Sequence, residues 1–128
     1  MENIYGKKDG VIELKKSDFI IKKNKKIFLN ENLINNTKGL IIIYAPWCTH
    51  CVLSKDMWIN FADLFKYKFN IYALNTYNYD DNNQEMVSYL DVHVYPSYKI
   101  IKTDGSIVDY TGRKNEDAFL KFILKNIE

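Results

Sequence analysis

Two cysteines three residues apart, Cys48 and Cys51, are the residues of this 128-residue chain best placed to do chemistry. They are its only cysteines, too few for a disulfide scaffold and too close together for a long-range staple, which leaves local redox chemistry or metal binding. At the start of a helix this spacing puts both thiols on one face, with Cα atoms near the roughly 5 to 6 Å that a disulfide needs. Unpaired N–H groups and the positive end of the helix dipole favour an anion at the first position, so Cys48 is the expected nucleophile. Cys51, one turn further in and more buried, is the expected resolving thiol that expels product from a mixed disulfide. A cationic His50 between them favours thiolate over thiol, which stabilises the reduced form and makes the pair more oxidising. Zinc needs two further ligands, and only His50 and His93 are on offer. His50 lies inside the short cysteine loop and can hardly close a tetrahedral site with both thiols, so neither metal nor cofactor is expected.

The elements around the pair follow from periodicity. Leu40-Ile41-Ile42-Ile43-Tyr44 reads as a fully buried central strand, opened by Gly39 and closed by Pro46, which holds Ala45 extended. From Thr49 to about Phe65 the apolar residues Val52, Trp58, Ile59, Ala62 and Phe65 recur at helical spacing. Phe69 to Leu74 reads as a second strand, followed by a polar loop over 75–83 and a short helix over 84–90. Ser97 to Ile101, a turn at Asp104-Gly105, and Ile107 to Tyr110 make a β-hairpin signal. A last helix runs from Glu116 to Asn126 with Asn115 as its cap. Val11 to Leu14 reads as an edge strand, and Lys22-Lys23-Asn24-Lys25-Lys26 as a solvated basic turn. The order βαβαββα implies a mixed α/β sheet covered by helices, a parallel pair joined by an antiparallel C-terminal hairpin, in one domain spanning residues 1–128.

Composition narrows the class. The chain is 47% apolar and 27% charged, with 17 Lys and a single Arg against 16 acids for a net charge of +2. That balance describes a folded globular protein without the global field that draws a chain to nucleic acid or membrane. Residues 1–16 lack the apolar stretch of a signal peptide, no run approaches about 18 apolar residues, and Lys125-Asn126-Ile127-Glu128 is not a retention signal. As given, the chain reads as soluble and intracellular.

The run Tyr44-Ala45-Pro46-Trp47-Cys48-Thr49-His50-Cys51 resembles the Tyr-Ala-Pro-Trp-Cys-Gly-His-Cys of the thioredoxin superfamily's protein disulfide isomerase catalytic domains, with Thr49 in the glycine position. Trp58 falls where a tryptophan follows in the same helix. Val92-His93-Val94-Tyr95-Pro96-Ser97 is similar to the segment that ends in the family's cis-proline. The resemblance implies a thioredoxin fold and a protein disulfide oxidoreductase. It also implies that Tyr95, Pro96 and Ser97 hold substrate beside Cys48 as an added strand, with Trp47 and Thr49 lining the site. Tyr110-Thr111-Gly112-Arg113 is similar to the loop whose arginine swings toward the resolving cysteine, a role that falls on Arg113 or leaves it a surface charge. The likeness runs from Gly39 to Ile127, while residues 1–38 diverge. In that part a weaker likeness covers Val11 to Phe19, where Leu14-Lys15-Lys16-Ser17-Asp18-Phe19 is similar to the family's entry to its first helix.

Three departures qualify the resemblance. The family's buried acid six residues before the first cysteine, which assists proton transfer at the resolving thiol, is Ile42 here, implying slower or water-assisted resolution. Asp56 replaces the proline that kinks the active-site helix, implying a straighter helix. Val52 and Val94 replace Lys and Gly, making the face around the cysteines more apolar. The alternative to an enzyme is a redox-inactive thioredoxin-like adaptor that binds proteins through Trp47, Tyr95 and Val94.

The partners implied are protein or peptide thiols and disulfides, with a thioredoxin-reductase-like protein or a sulfhydryl oxidase upstream. A reducing cytosol would keep the pair as a dithiol. A dedicated oxidation pathway of the kind large DNA viruses use for virion proteins, in a viral factory or virion, reconciles an oxidising pair with that compartment.

Overall fold

The computed structural model describes every residue except Leu33, Asn35, Ile127 and Glu128; Ile127, the last residue of the resemblance, therefore lies outside the described part. In chain order the strands are β1 (Ile12–Leu14), β2 (Phe19–Ile21), β3 (Ile27–Leu29), β4 (Gly39–Tyr44), β5 (Asn70–Asn75), β6 (Ser97–Ile101) and β7 (Ile107–Asp109). The α-helices are α1 (Thr49–Leu53), α2 (Lys55–Phe65), α3 (Met86–Tyr89) and α4 (Glu116–Asn126). Five strands form one sheet in the order β1-β5-β4-β6-β7, and β2 and β3 pair separately as a hairpin.

Strand β4 is central because all of its residues are apolar or small. It pairs in parallel with β5 and antiparallel with β6, and all six of its residues are buried. At Gly39 a side chain would run into the Asn70 carbonyl of β5, so the strand opens on the one residue that permits this approach. β1 adds a third parallel strand on the far edge of β5, one more than the parallel pair expected, and β6 and β7 form the expected antiparallel hairpin.

The alternation of β4 divides the core. Leu40, Ile42 and Tyr44 face one side with Cys51, Trp58, Phe61, Phe119 and Ile123, under α1, α2 and α4. Ile41 and Ile43 face the other with Leu14, Phe19, Leu29, Tyr72, Leu74 and Met86, under the β2–β3 hairpin and α3. Trp58 is fully enclosed, and its indole N–H donates to the Tyr72 carbonyl at 3.0 Å, tying α2 to β5.

Two expectations are corrected. Leu14 to Phe19 does not enter an α-helix. A single 3-10 turn over Lys16–Asp18 leads into the β2–β3 hairpin, with Phe19 opposite Leu29 and Ile21 opposite Ile27. The basic run is its turn, with the Lys25 N–H on the Lys22 carbonyl at 2.8 Å and Lys25 at a φ of 63°. The helix that was to run straighter past Asp56 is instead interrupted at Ser54. Its hydroxyl and its N–H both donate to the His50 carbonyl, at 2.8 and 3.1 Å. A side chain bonded back to the preceding turn bends a helix without any proline.

Candidate active site

The chain leaves β4 at Tyr44, turns through Ala45-Pro46-Trp47 and enters α1. The turn is closed by the Cys48 N–H on the Ala45 carbonyl at 3.0 Å. Cys48 is the N-cap residue of α1, with extended backbone at φ −80° and ψ 120°, and its carbonyl accepts the first helical bond from Val52 at 3.1 Å. At the cap it borders the unpaired donors of the first turn, although its side chain makes no hydrogen bond to them. Both cysteines are free thiols; Cys48 keeps 8% of its surface exposed and Cys51 none. Burial pushes the Cys51 thiol up to about 12, and its hydrogen bond with Cys48 adds to the rise, while a backbone bond from Ala45 works against it.

Opposite the pair lies the loop before β6. The Tyr95–Pro96 peptide is cis, and the Cys48 thiol donates to the Tyr95 carbonyl at 3.7 Å. Ser97 opens β6 opposite Ile43, with its hydroxyl on the Val94 carbonyl at 2.5 Å. A residue that sequence reasoning missed ties this loop to the strand end. Thr76, buried, donates its hydroxyl to the Tyr44 carbonyl at 3.1 Å and accepts from the Tyr95 hydroxyl at 2.8 Å. A lone threonine after a strand carries no pattern that would have pointed to it.

Around the thiols the surface is apolar and aromatic. Trp47 is 55% exposed and stands edge-on to the rings of Tyr77 and Tyr95, with centroids 5.5 and 6.0 Å away. Val52 and Val94, on α1 and in the loop before β6, are also exposed. Thr49 and His50 are exposed on α1. Arg113 follows β7 in the loop before α4. Its carbonyl accepts the Tyr110 hydroxyl, and its side chain is exposed with no partner among the described residues.

Comparison with known proteins identifies the family. The thioredoxin family model matches residues 19–125. The chain belongs to the thioredoxin family. Among curated relatives, protein disulfide-isomerase 2-3 of Arabidopsis thaliana is 24% identical over 127 residues, 98% of this chain and 26% of its own length. Protein disulfide-isomerase 1 of Dictyostelium discoideum is 31% identical over 96 residues, 73% of this chain and 26% of its own. The chain thus spans about a quarter of the length of these relatives. Among solved structures, the first thioredoxin domain of mouse protein disulfide-isomerase A4 superposes with a TM-score of 0.69 at 22% identity, covering 91% of this chain and 75% of that one. Thioredoxin f from spinach chloroplast gives 0.65 at 23%, covering 98% and 97%.

As a thioredoxin, this chain has its departures at the site as well. Ile42 is fully buried beneath the cysteines and has nothing to titrate. A carboxyl does reach that face of the sheet, but from β1. Glu13 accepts the Tyr44 hydroxyl and, at 3.4 Å, the Tyr5 N–H, and burial pushes its carboxyl up to about 7 against these two bonds. In sequence Glu13 is one acid between apolar neighbours on an edge strand, which reads as solvent-facing. Among the described residues no helix is long and apolar enough to cross a membrane.

Proposed function

We propose that this chain exchanges disulfides with protein or peptide substrates, Cys48 acting as nucleophile and Cys51 as resolving thiol. The observation that carries this reading is the asymmetry of the pair: a cap-position thiol that keeps a sliver of exposure toward the Tyr95 carbonyl, and a fully enclosed partner one turn behind it. In the reducing direction the Cys48 thiolate attacks a substrate disulfide, forming a mixed disulfide and releasing one substrate thiolate. Cys51 then loses its proton and attacks the Cys48 sulfur. The Cys48–Cys51 disulfide forms, the second substrate thiolate leaves, and two electrons have passed to substrate. Oxidation of a substrate dithiol is the same path reversed.

The loop of Tyr95, Pro96 and Ser97 offers backbone groups to an extended peptide beside Cys48, and the exposed Trp47 ring and Thr49 border the same opening. A cationic His50 favours the Cys48 thiolate, and so the reduced form and a more oxidising poise. The scheme does not use Arg113. The electron partner is a thioredoxin-reductase-like protein or a sulfhydryl oxidase, according to direction.

Insulin reduction under dithiothreitol tests the reading. Wild type is expected to accelerate precipitation and Cys48→Ser to fall to the uncatalysed rate. Equal rates for the two proteins would overturn the enzyme and leave a protein-binding adaptor built on the same apolar surface.

A further inference from the structure

The exchange scheme leaves one requirement open. Cys51 is a buried neutral thiol at physiological pH, and it can attack the mixed disulfide only after giving up its proton. The residue beneath it, Ile42, cannot take that proton.

The sheet register brings an acid to the same row. Ile42 pairs with Ala73, and Ala73 pairs with Glu13, so the three side chains project from one face, Glu13 two strands or about 10 Å across from Ile42. Its Oε2 is held by Tyr44 and by the Tyr5 N–H. Its Oε1 is shut off from solvent and has no hydrogen-bond partner, and the Tyr5 hydroxyl, in a residue 5% exposed, has none either. Two unsatisfied oxygens enclosed in one core are rare in folded proteins, and a shared water is the usual means of satisfying them. Tyr5 is also buried in the same cluster as Cys51, and its ring stands edge-on to that of Tyr44, the phenol that donates to Glu13, with centroids 5.7 Å apart.

We propose that Glu13 is the proton acceptor for Cys51, reached through the Tyr5 hydroxyl and bridging water, and that it does from β1 what Ile42 cannot do from β4. This rests on the exchange reaction proposed above. In the resolving step the Cys51 S–H proton passes along this path to the Glu13 carboxylate as the Cys51–Cys48 bond forms and the substrate sulfur leaves as thiolate. In the reverse step Glu13 returns the proton to Cys51. The carboxyl is poised for both directions, since its pKa of about 7 leaves it able to give or take near neutrality. The titratable groups around this path are the phenols of Tyr44, Tyr5, Tyr98 and Tyr95, the thiols of Cys51 and Cys48 and the Asp9 carboxylate, and among the described residues no cation contributes at Glu13.

The test is the two-phase reaction of the reduced protein with 5,5′-dithiobis(2-nitrobenzoate), in which attack by Cys48 releases the first thionitrobenzoate and resolution by Cys51 the second. In wild type the second phase should accelerate with an inflection near pH 7. Glu13→Gln keeps the acceptor oxygen for Tyr44 but cannot take a proton. It should slow the second phase by roughly a hundredfold, the low side of what a positioned proton acceptor contributes, remove the inflection, and leave the first phase unchanged. Tyr5→Phe, which keeps the ring in the core, should slow the same phase. It provides an independent reading if Glu13→Gln does not fold. A second phase of wild-type rate and pH profile in a folded Glu13→Gln or Tyr5→Phe protein overturns the assignment while leaving the exchange reaction standing. Absence of any second phase in wild type overturns the exchange reaction itself.

Discussion

The two faces of the central sheet are filled on different terms. Beneath the β2–β3 hairpin and α3, Leu14, Ile41, Ile43, Leu74, Met86 and Ile101 make an apolar layer whose one fully enclosed phenol among the described residues, Tyr72, donates to the Thr37 carbonyl at 2.8 Å. Beneath α1, α2 and α4 the layer holds both thiols and the rings of Tyr5, Tyr44 and Tyr98, with the Glu13 carboxyl reaching in from its edge. The unpartnered enclosed oxygens found among the described residues, on Tyr5 and Glu13, both belong to this second face. Buried polar groups without partners cost stability. Their confinement to the cysteine side teaches that one face is built to hold the sheet together, and the other gives up some of that stability to keep ionisable groups near the sulfurs.

The largest effect expected from this division is on stability alone. Leu74 is fully enclosed on the apolar face, in the strand that pairs with both β1 and β4. Leu74→Ala should cost about 2 to 5 kcal/mol, the lost transfer energy plus the cavity left behind, as read by urea unfolding. Both phases of thiol exchange, measured where the variant is still folded, should keep wild-type rates. A change in either phase would break the division, because it would mean that the far face positions the thiols.

The next effect belongs to the cysteine face. Burial raises the Glu13 carboxyl from 4.5 to about 7, so between those values the folded chain holds a proton that the unfolded chain has released. The unfolding free energy therefore falls as pH rises from about 4.5 to 7 and levels off above, by an amount on the order of 3 kcal/mol at most. Unfolding by urea at several pH values should show this slope in wild type, and Glu13→Gln should flatten it. An unchanged slope in the variant would place the titrating group elsewhere and weaken the contrast between the faces.

How far the sequence carried this picture differs along the chain. The strand of β4, the hairpin of β6 and β7 and the bounds of α4 were legible because each combines periodicity with punctuation, by Gly39 and Pro46, by Asp104-Gly105 and by Asn115. The cysteine pair was legible from spacing alone. The segment 20–38 was not. Ile20, Ile21, Ile27 and Phe28 fit a strand or a helix equally well over so short a run, and what decides is the pairing of Phe19 with Leu29 over the sheet, a tertiary contact. The interruption at Ser54 was hidden because serine is compatible with a helix interior until its hydroxyl turns back to His50. Glu13 was hidden for a related reason. An edge strand normally shows its polar residues to water, and here Tyr5 and Tyr44 close over that side.

The smallest effect tests how firmly the cysteine face is closed. Helix α4 covers it through Phe119 and Ile123, and the helix begins where the Asn115 side chain accepts the Ala118 N–H at 2.9 Å while the Asn115 carbonyl accepts Phe119 at 3.0 Å. Asn115→Ala removes the first bond and keeps the second. It should cost about 1 kcal/mol in urea unfolding, the ordinary worth of a cap. Because Asn115 itself is exposed and touches neither thiol, the loss should fall on global stability, with both phases of thiol exchange unchanged. A slower second phase in this variant would show instead that fraying at the start of α4 reaches Cys51 through Phe119. The cover of that face would then be part of the proton chemistry and not only of its packing.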